Sequence, residues 1–229
     1  MDDLNEYDEY LVRVTQELLH NGNKKLCAVR DHPTANLVEE FAEILESAKD
    51  EKPLQKFFTA HPEMLAQQLG AGCRWIIPKP QLGGLLEPDF MAARLDSGGL
   101  KWVAVELESP SINWLFTQTD GNPTEKLRKG IQQVKDWRHW IENNLSTARN
   151  SPRNGGSGLV EITPRFDGLV IAGRRSDVRE DDQRHRRDIW HTQNIEIHTY
   201  DWLLQEARKM VPIHFVADDN CEECATYGR

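Results

Sequence analysis

The chain alternates between two kinds of hydrophobic spacing, and the change comes near its first third. Residues 1 to 22 place Leu4, Tyr7, Leu11, Val14 and Leu18 at helical intervals, and Asn21-Gly22-Asn23 ends the run. A second helix is predicted from Thr34 to Ala48, with Leu37, Val38, Phe41, Ile44 and Leu45 as its apolar stripe. Short helices follow from Leu54 to Thr59 and from Met64 to Leu69. Gly70-Ala71-Gly72 then marks a switch to extended runs: Arg74 to Pro78, Pro88 to Leu95 and Lys101 to Glu108, the last two joined by the turn Ser97-Gly98-Gly99. Asn122, Pro123 and Glu125 have the pattern of an N-cap, a first-turn proline and a capping box. They predict a helix ending near Asn143-Asn144, with Leu127, Ile131, Val134 and Ile141 on one face. Residues 146 to 158, rich in Ser, Asn, Gly and Arg, are expected to form a mobile surface loop. Strands are predicted at Phe166 to Gly173 and Ile195 to Tyr200, and helices at Asp181 to His191 and Trp202 to Lys209. This order predicts an α/β fold, a mixed central sheet flanked by helices.

Within this frame, acidic residues stand where strands predict apolar ones. Asp89 begins one extended run, and Glu106 and Glu108 alternate inside the next. Successive strand side chains point to opposite faces. Glu106 and Glu108 therefore share a face with Trp102 and Ala104, while Val103, Val105 and Leu107 take the other. If the two runs pair as a hairpin, Asp89 comes close to Glu106. Converging carboxylates need a compensating positive charge, and a hard divalent cation held by oxygens is the usual one. Solvated acids on the open face of an edge strand would show the same spacing.

Length and charge narrow the field. The 229 residues suit one large domain, or one domain with a small N-terminal addition, and the formal net charge of -9 gives no general attraction for nucleic acid or an anionic membrane. Nucleic-acid contact would need a local basic patch and a metal. No apolar run is long enough to span a bilayer, and the start does not resemble a signal peptide, so no membrane partner and a cytoplasmic location are expected. Cys27, Cys73, Cys221 and Cys224 are too few for a disulfide framework. Cys221-x-x-Cys224 is half of a zinc site without its second half, and the glycine pairs match no phosphate-cradling loop.

The layout from Pro88-Asp89 through Glu106-Leu107-Glu108 to a helix bearing Gln133-Val134-Lys135-Asp136-Trp137 is similar to the PD-(D/E)XK nuclease fold. More specifically, the chain resembles the Shedu-type family of antiphage nucleases. The stretches that carry this are Pro53 to Phe58 with His61 to Leu65, Pro88-Asp89-Phe90, Val105 to Pro110, Gln133 to Trp137, Gly168 to Arg174 and Ile197 to Leu204. The resemblance implies a restriction-endonuclease-like core over 51–212, an N-terminal helical region over 1–50 and a C-terminal tail over 213–229. It implies Mg²⁺- or Mn²⁺-dependent hydrolysis of DNA, self-assembly into a homo-oligomer, and Asp89 and Glu106 as metal ligands. Glu108 would be a third ligand or would orient water, and Gln133 would hold a ligand or touch the nucleic-acid backbone. One departure stands out: Glu108 replaces the lysine of the family pattern. Lys129 and Lys126, spaced from Gln133 along one helical face, are the candidates to replace it, whereas Lys101 has the wrong parity. The alternative is a catalytically silent nuclease-fold module that binds DNA or a partner protein. The arginines at 165, 174, 175, 179, 184, 186 and 187 are candidates for phosphate contact, or for a salt-bridged surface given the interleaved acids. Trp114 and Phe116 either stack on bases or are buried.

Overall fold

A computed structural model describes residues 6–27, 30–70, 73–84 and 86–211. The region after 211, including Cys221 and Cys224, lies outside them.

Six strands form one sheet in sequential order: β1 (Lys25–Cys27), β2 (Cys73–Pro78), β3 (Phe90–Asp96), β4 (Gly99–Leu107), β5 (Asp167–Ile171) and β6 (Ile195–His198). The first four are antiparallel neighbours, while β4, β5 and β6 run parallel. Parallel neighbours need crossovers, and helices α5 (Glu125–Asn143) and α7 (Asp182–Gln193) supply them. The predicted mixed α/β sheet is therefore present, with helices on both faces.

Strand alternation builds two cores. Phe90, Ala92, Val105, Leu107, Leu169 and Ile171 point to one face, against α2 (Ala35–Ser47), α3 (Lys52–Ala60), α4 (Glu63–Ala66) and α8 (Tyr200–Met210). Met91, Ala93, Trp102, Ala104 and Val170 point to the other, against α1 (Glu6–His20), α5 and α7. Leu11, Val14 and Leu18 of α1 lie in this second core, and β1 pairs with β2, so the first fifty residues share the cores of the sheet. The three-residue β1 carries too short a pattern to be predicted. It sets Cys27 opposite Cys73, both buried.

The start of α2 follows the sequence, while α8 begins at Tyr200 instead of the expected Trp202 and the strand before it ends at His198. Thr34 caps α2 by accepting the Leu37 amide proton at 3.3 Å, and Thr199 caps α8 by accepting that of Trp202 at 3.3 Å. The start of α5 differs from expectation. Its N-cap is Thr124, and the Asn122 capping box does not form. Asn122 and Pro123 are drawn into a local pairing: Thr117 N donates to Asn122 O at 2.8 Å, and Phe116 bridges to Pro123. Residues 146–158 also differ, because they are ordered by α6 (Leu145–Arg149), a 3-10 turn at Pro152–Asn154 and backbone bonds such as Leu159 N to Ala148 O at 2.9 Å.

Two glycines let α5 lie close to the sheet. A Cβ on Gly168 of β5 would stand 2.8 Å from Val134 Cγ1 of α5. One on Gly130 of α5 would meet Val170 Cγ1 at 3.0 Å and Glu108 Cγ at 3.1 Å. Gly130 thus seats the helix directly over Glu108. Gly130→Val should overpack this contact and destabilise by about 1–3 kcal/mol. Thermal unfolding should show a melting temperature lowered by a few degrees, whereas an unchanged value would mean that α5 is not held this closely.

Candidate active site

The β3–β4 hairpin creates the site by register. Phe90 pairs with Val105, and one further step sets Asp89 across from Glu106. Pro88 has no amide proton to extend the ladder. The Asp89 side chain takes over instead: its Oδ2 accepts the Leu107 amide proton at 2.9 Å, and its Oδ1 accepts from Gln55 Nε2 of α3. Ladder and site therefore meet at one residue.

Glu106 and Glu108 are each only 5% exposed. They lie at the end of β4, on the side that faces α5. Glu106 Oε2 and Glu108 Oε1 are buried without a hydrogen-bond partner, as is Gln133 Oε1. Buried polar atoms are normally satisfied, so three unsatisfied acceptors at one place require a donor or a cation. The strain shows in the acidities. Burial, followed by the neighbouring carboxylates of Asp89 and Glu108, pushes Glu106 up to about 9, and Lys129 and Gln133 pull in the opposite direction. Burial pushes Glu108 up to about 7 against the attraction of Lys129 and Lys126, with Glu51 and Asp89 adding to the rise. Asp89 is also raised, mainly by burial, and this is opposed by the Leu107 amide, Lys79 and Gln55.

The face of α5 that bears Lys126, Lys129 and Gln133 is thus directed at the carboxylates, a placement that spacing alone left open. Lys101 is on the other side of the sheet, lining a cavity with Val103, Leu169 and Trp202. Glu51 and Gln55 were missed in the sequence. They are one helical turn apart at the start of α3, and Gln55 lies within one of the stretches that carried the family resemblance, so the i,i+4 spacing was the available signal. Tyr200, also missed, is fully buried and donates to the Glu108 carbonyl at 2.8 Å, tying the end of β4 to α8. Its value as a hydrogen-bonding core tyrosine has no periodic signature.

Among the described residues, no three His, Cys, Asp or Glu side chains form a ready-made metal cage. The donor set nonetheless fits a hard divalent ion. Mg²⁺ is commonly held by one or two carboxylates together with waters and substrate phosphate, and the unsatisfied oxygens of Glu106 and Glu108 are of this type.

The family model described as Shedu protein SduA, C-terminal, matches residues 48–204. The chain belongs to the Shedu family. The matched span runs from the segment before α3 into α8 and so contains Glu51, Gln55, Asp89, Glu106, Glu108, Lys129, Gln133 and Tyr200. No curated protein matches this Shedu chain. Among solved structures it is similar to the restriction endonuclease FokI bound to DNA, at 14% identity and a TM-score of 0.46 over 99% of this chain. The Shedu chain spans 34% of the length of that FokI chain.

The arginine-rich segment divides by role. Arg174 pairs with Asp201 at 2.9 Å and Glu46 at 2.6 Å, and Arg179 pairs with Asp182 at 3.1 Å. Arg165, Arg175, Arg184 and Arg187 are exposed. Phe116 is buried, whereas Trp114 stays 41% exposed. No helix among the described residues is long and apolar enough to cross a membrane.

Proposed function

We propose that this Shedu protein is a Mg²⁺- or Mn²⁺-dependent endonuclease that hydrolyses DNA phosphodiesters in antiphage defence. The reading rests on one observation above all: two buried carboxylates, with unsatisfied oxygens, at the end of β4 beneath a lysine-bearing helix. When bound, the divalent ion would polarise the scissile phosphate and acidify a neighbouring water. The protein's own residues do the rest. Asp89, fixed by Gln55 and the Leu107 amide, and Glu106 would hold the ion. Glu108 accepts a proton from the attacking water or completes the ligand set. The α5 amine of Lys129, which acts on both Glu106 and Glu108, takes the place of the family lysine. Gln133 orients the Glu106 carboxylate. Glu51, close enough to raise Asp89 and Glu108, is a further oxygen donor at the mouth of the site.

The test is cleavage of plasmid and linear DNA by the full chain with Mg²⁺ or Mn²⁺. Wild type should nick or cut, and Asp89→Ala should lose this while keeping its fold by circular dichroism. DNA binding without cutting in either metal, unchanged by Asp89→Ala, would instead make the protein a silent nuclease-fold module, the reading that Glu108 at the lysine position favours.

A further inference from the structure

We propose that the cleft between the start of α7 and the N-terminus of α8 is a second phosphate site, which grips the backbone of the nucleic acid at a distance from the carboxylates. This rests on the nuclease reading and adds where the strand runs. The cleft encloses about 430 Å³ and is lined by Arg175, Arg179, Arg186, His198, Thr199 and Trp202, with Glu180 as the acid on its wall. That volume accommodates a nucleotide-sized group.

The guanidinium groups are positioned in advance by main-chain carbonyls. Arg186 Nε donates to Ile197 O at 2.7 Å, and its Nη2 lies 3.3 Å from His198 Nδ1. Arg179 Nη2 donates to Phe116 O at 2.7 Å and Thr117 O at 3.1 Å, while its Nε is buried with no hydrogen-bond partner. Arg175 extends from the rim to Gln205, a neutral partner. Asp182, bonded to Arg179, and Glu196, 3.0 Å from His198, offset part of the charge. Arg175, exposed at the rim, remains for a ligand. Thr199 caps the eleven-residue α8, whose first turn carries Asp201, already bonded to the Arg175 amide at 2.8 Å and to Arg174, so the charge for an anion comes from the arginines and not from the helix end. Side chains already held in place lose little further freedom when they bind, which favours a fixed phosphate contact over a casual surface one.

The location points to the nucleic-acid backbone as occupant. β4 and β6 run in the same direction, and His198 registers through Ile171 with Leu107, one residue beyond Glu106, so the cleft lies at the same end of the sheet as the carboxylates, two strands away, with His198 turned to the opposite face. The loop after β4 connects the two places. Its exposed Trp114 stands against Arg179, whose guanidinium carbon is 5.4 Å from the ring centroid. A flat exposed indole beside a phosphate clamp is the arrangement that stacks a base while the backbone is held. In a chain of net charge -9, such a local contact must supply what general electrostatics does not.

Binding of a fluorescein-labelled 20-base-pair duplex with an unpaired single-stranded overhang, followed by anisotropy in EDTA over a range of salt, tests this apart from cutting. Arg175→Glu and Trp114→Ala alter exposed side chains, and unchanged melting temperatures confirm their folds. Arg175→Glu should weaken binding about 10-fold or more and reduce the slope of log Kd against log salt by about 1. Trp114→Ala should weaken it at least about 5-fold with the slope unchanged. A folded Arg175→Glu protein with wild-type Kd and slope would overturn the proposal, as would a wild type that binds inorganic phosphate but no duplex. Cleft-dependent binding without cleavage would sink the nuclease reading alone. Cleavage with binding indifferent to Arg175 would sink the cleft alone.

Discussion

Glu106→Gln should abolish cleavage and at the same time raise the melting temperature of the metal-free protein at alkaline pH. The two effects have one cause. Glu106 is buried among Asp89 and Glu108, and its pKa is displaced upward to about 9 from an ordinary 4.5. Between those values the folded protein holds a proton that the unfolded chain releases, so stability falls as pH rises through that window. Glu108, displaced to about 7, contributes in the same sense over a narrower range. A glutamine stays neutral throughout, so the variant should lose less stability between pH 6 and 9. Each kcal/mol recovered is worth about 2–4 °C in a domain of this size. A divalent ion selects the ionised carboxylate, so metal should raise the wild-type melting temperature more at pH 8.5 than at pH 6. EDTA should reverse the gain, and Glu106→Gln should show almost none. Cleavage by the variant should fall by more than the ~10–100-fold that loss of an outer partner of a metal site costs. Thermal unfolding against pH, with and without Mn²⁺, reads all of this. If the wild-type and Glu106→Gln curves run parallel from pH 6 to 9, Glu106 does not sit among uncompensated carboxylates.

Lys129→Met should cost about 100-fold in cleavage, the scale of a positioned proton-transfer group. Lys129 is the largest attraction acting on Glu108 and also lowers Glu106, so its removal raises both pKa values further. The pH–rate profile should accordingly move to higher pH, with the residual activity recovering partly as pH rises. Lys129→Arg, which keeps the charge, should retain more activity than Lys129→Met. Lys101→Met, on the opposite side of the sheet, should cut at the wild-type rate. A Lys129→Met enzyme with normal rate and profile would assign the lysine role elsewhere, with Lys126 the next amine on that face.

Much of this was legible in the residues. Alternation within Trp102 to Glu108 fixed which side chains share a face, because a strand has a strict two-residue repeat, and the structure places Trp102 and Ala104 in one core and Val105 and Leu107 in the other. The turn at Ser97-Gly98-Gly99 set a hairpin whose register carries Asp89 opposite Glu106. Where prediction failed, local preference was overruled by partners distant in sequence. Asn122 had the chemistry of a cap but was taken by Thr117, and residues 146–158 were polar enough to be loose yet are tied by backbone bonds.

The amino-acid sequence alone thus determined most of the longer elements, their faces and the family, because these depend on periodicity and short-range order. Only the tertiary structure decided that α5 turns Lys129 toward Glu106 and Glu108, that α3 delivers Gln55 and Glu51 to Asp89, and that Arg179 meets Trp114. A helix face has a direction only once its apolar side is buried against a particular sheet, and here the absence of a Cβ at Gly130 and Gly168 fixes how close and at what angle that burial occurs.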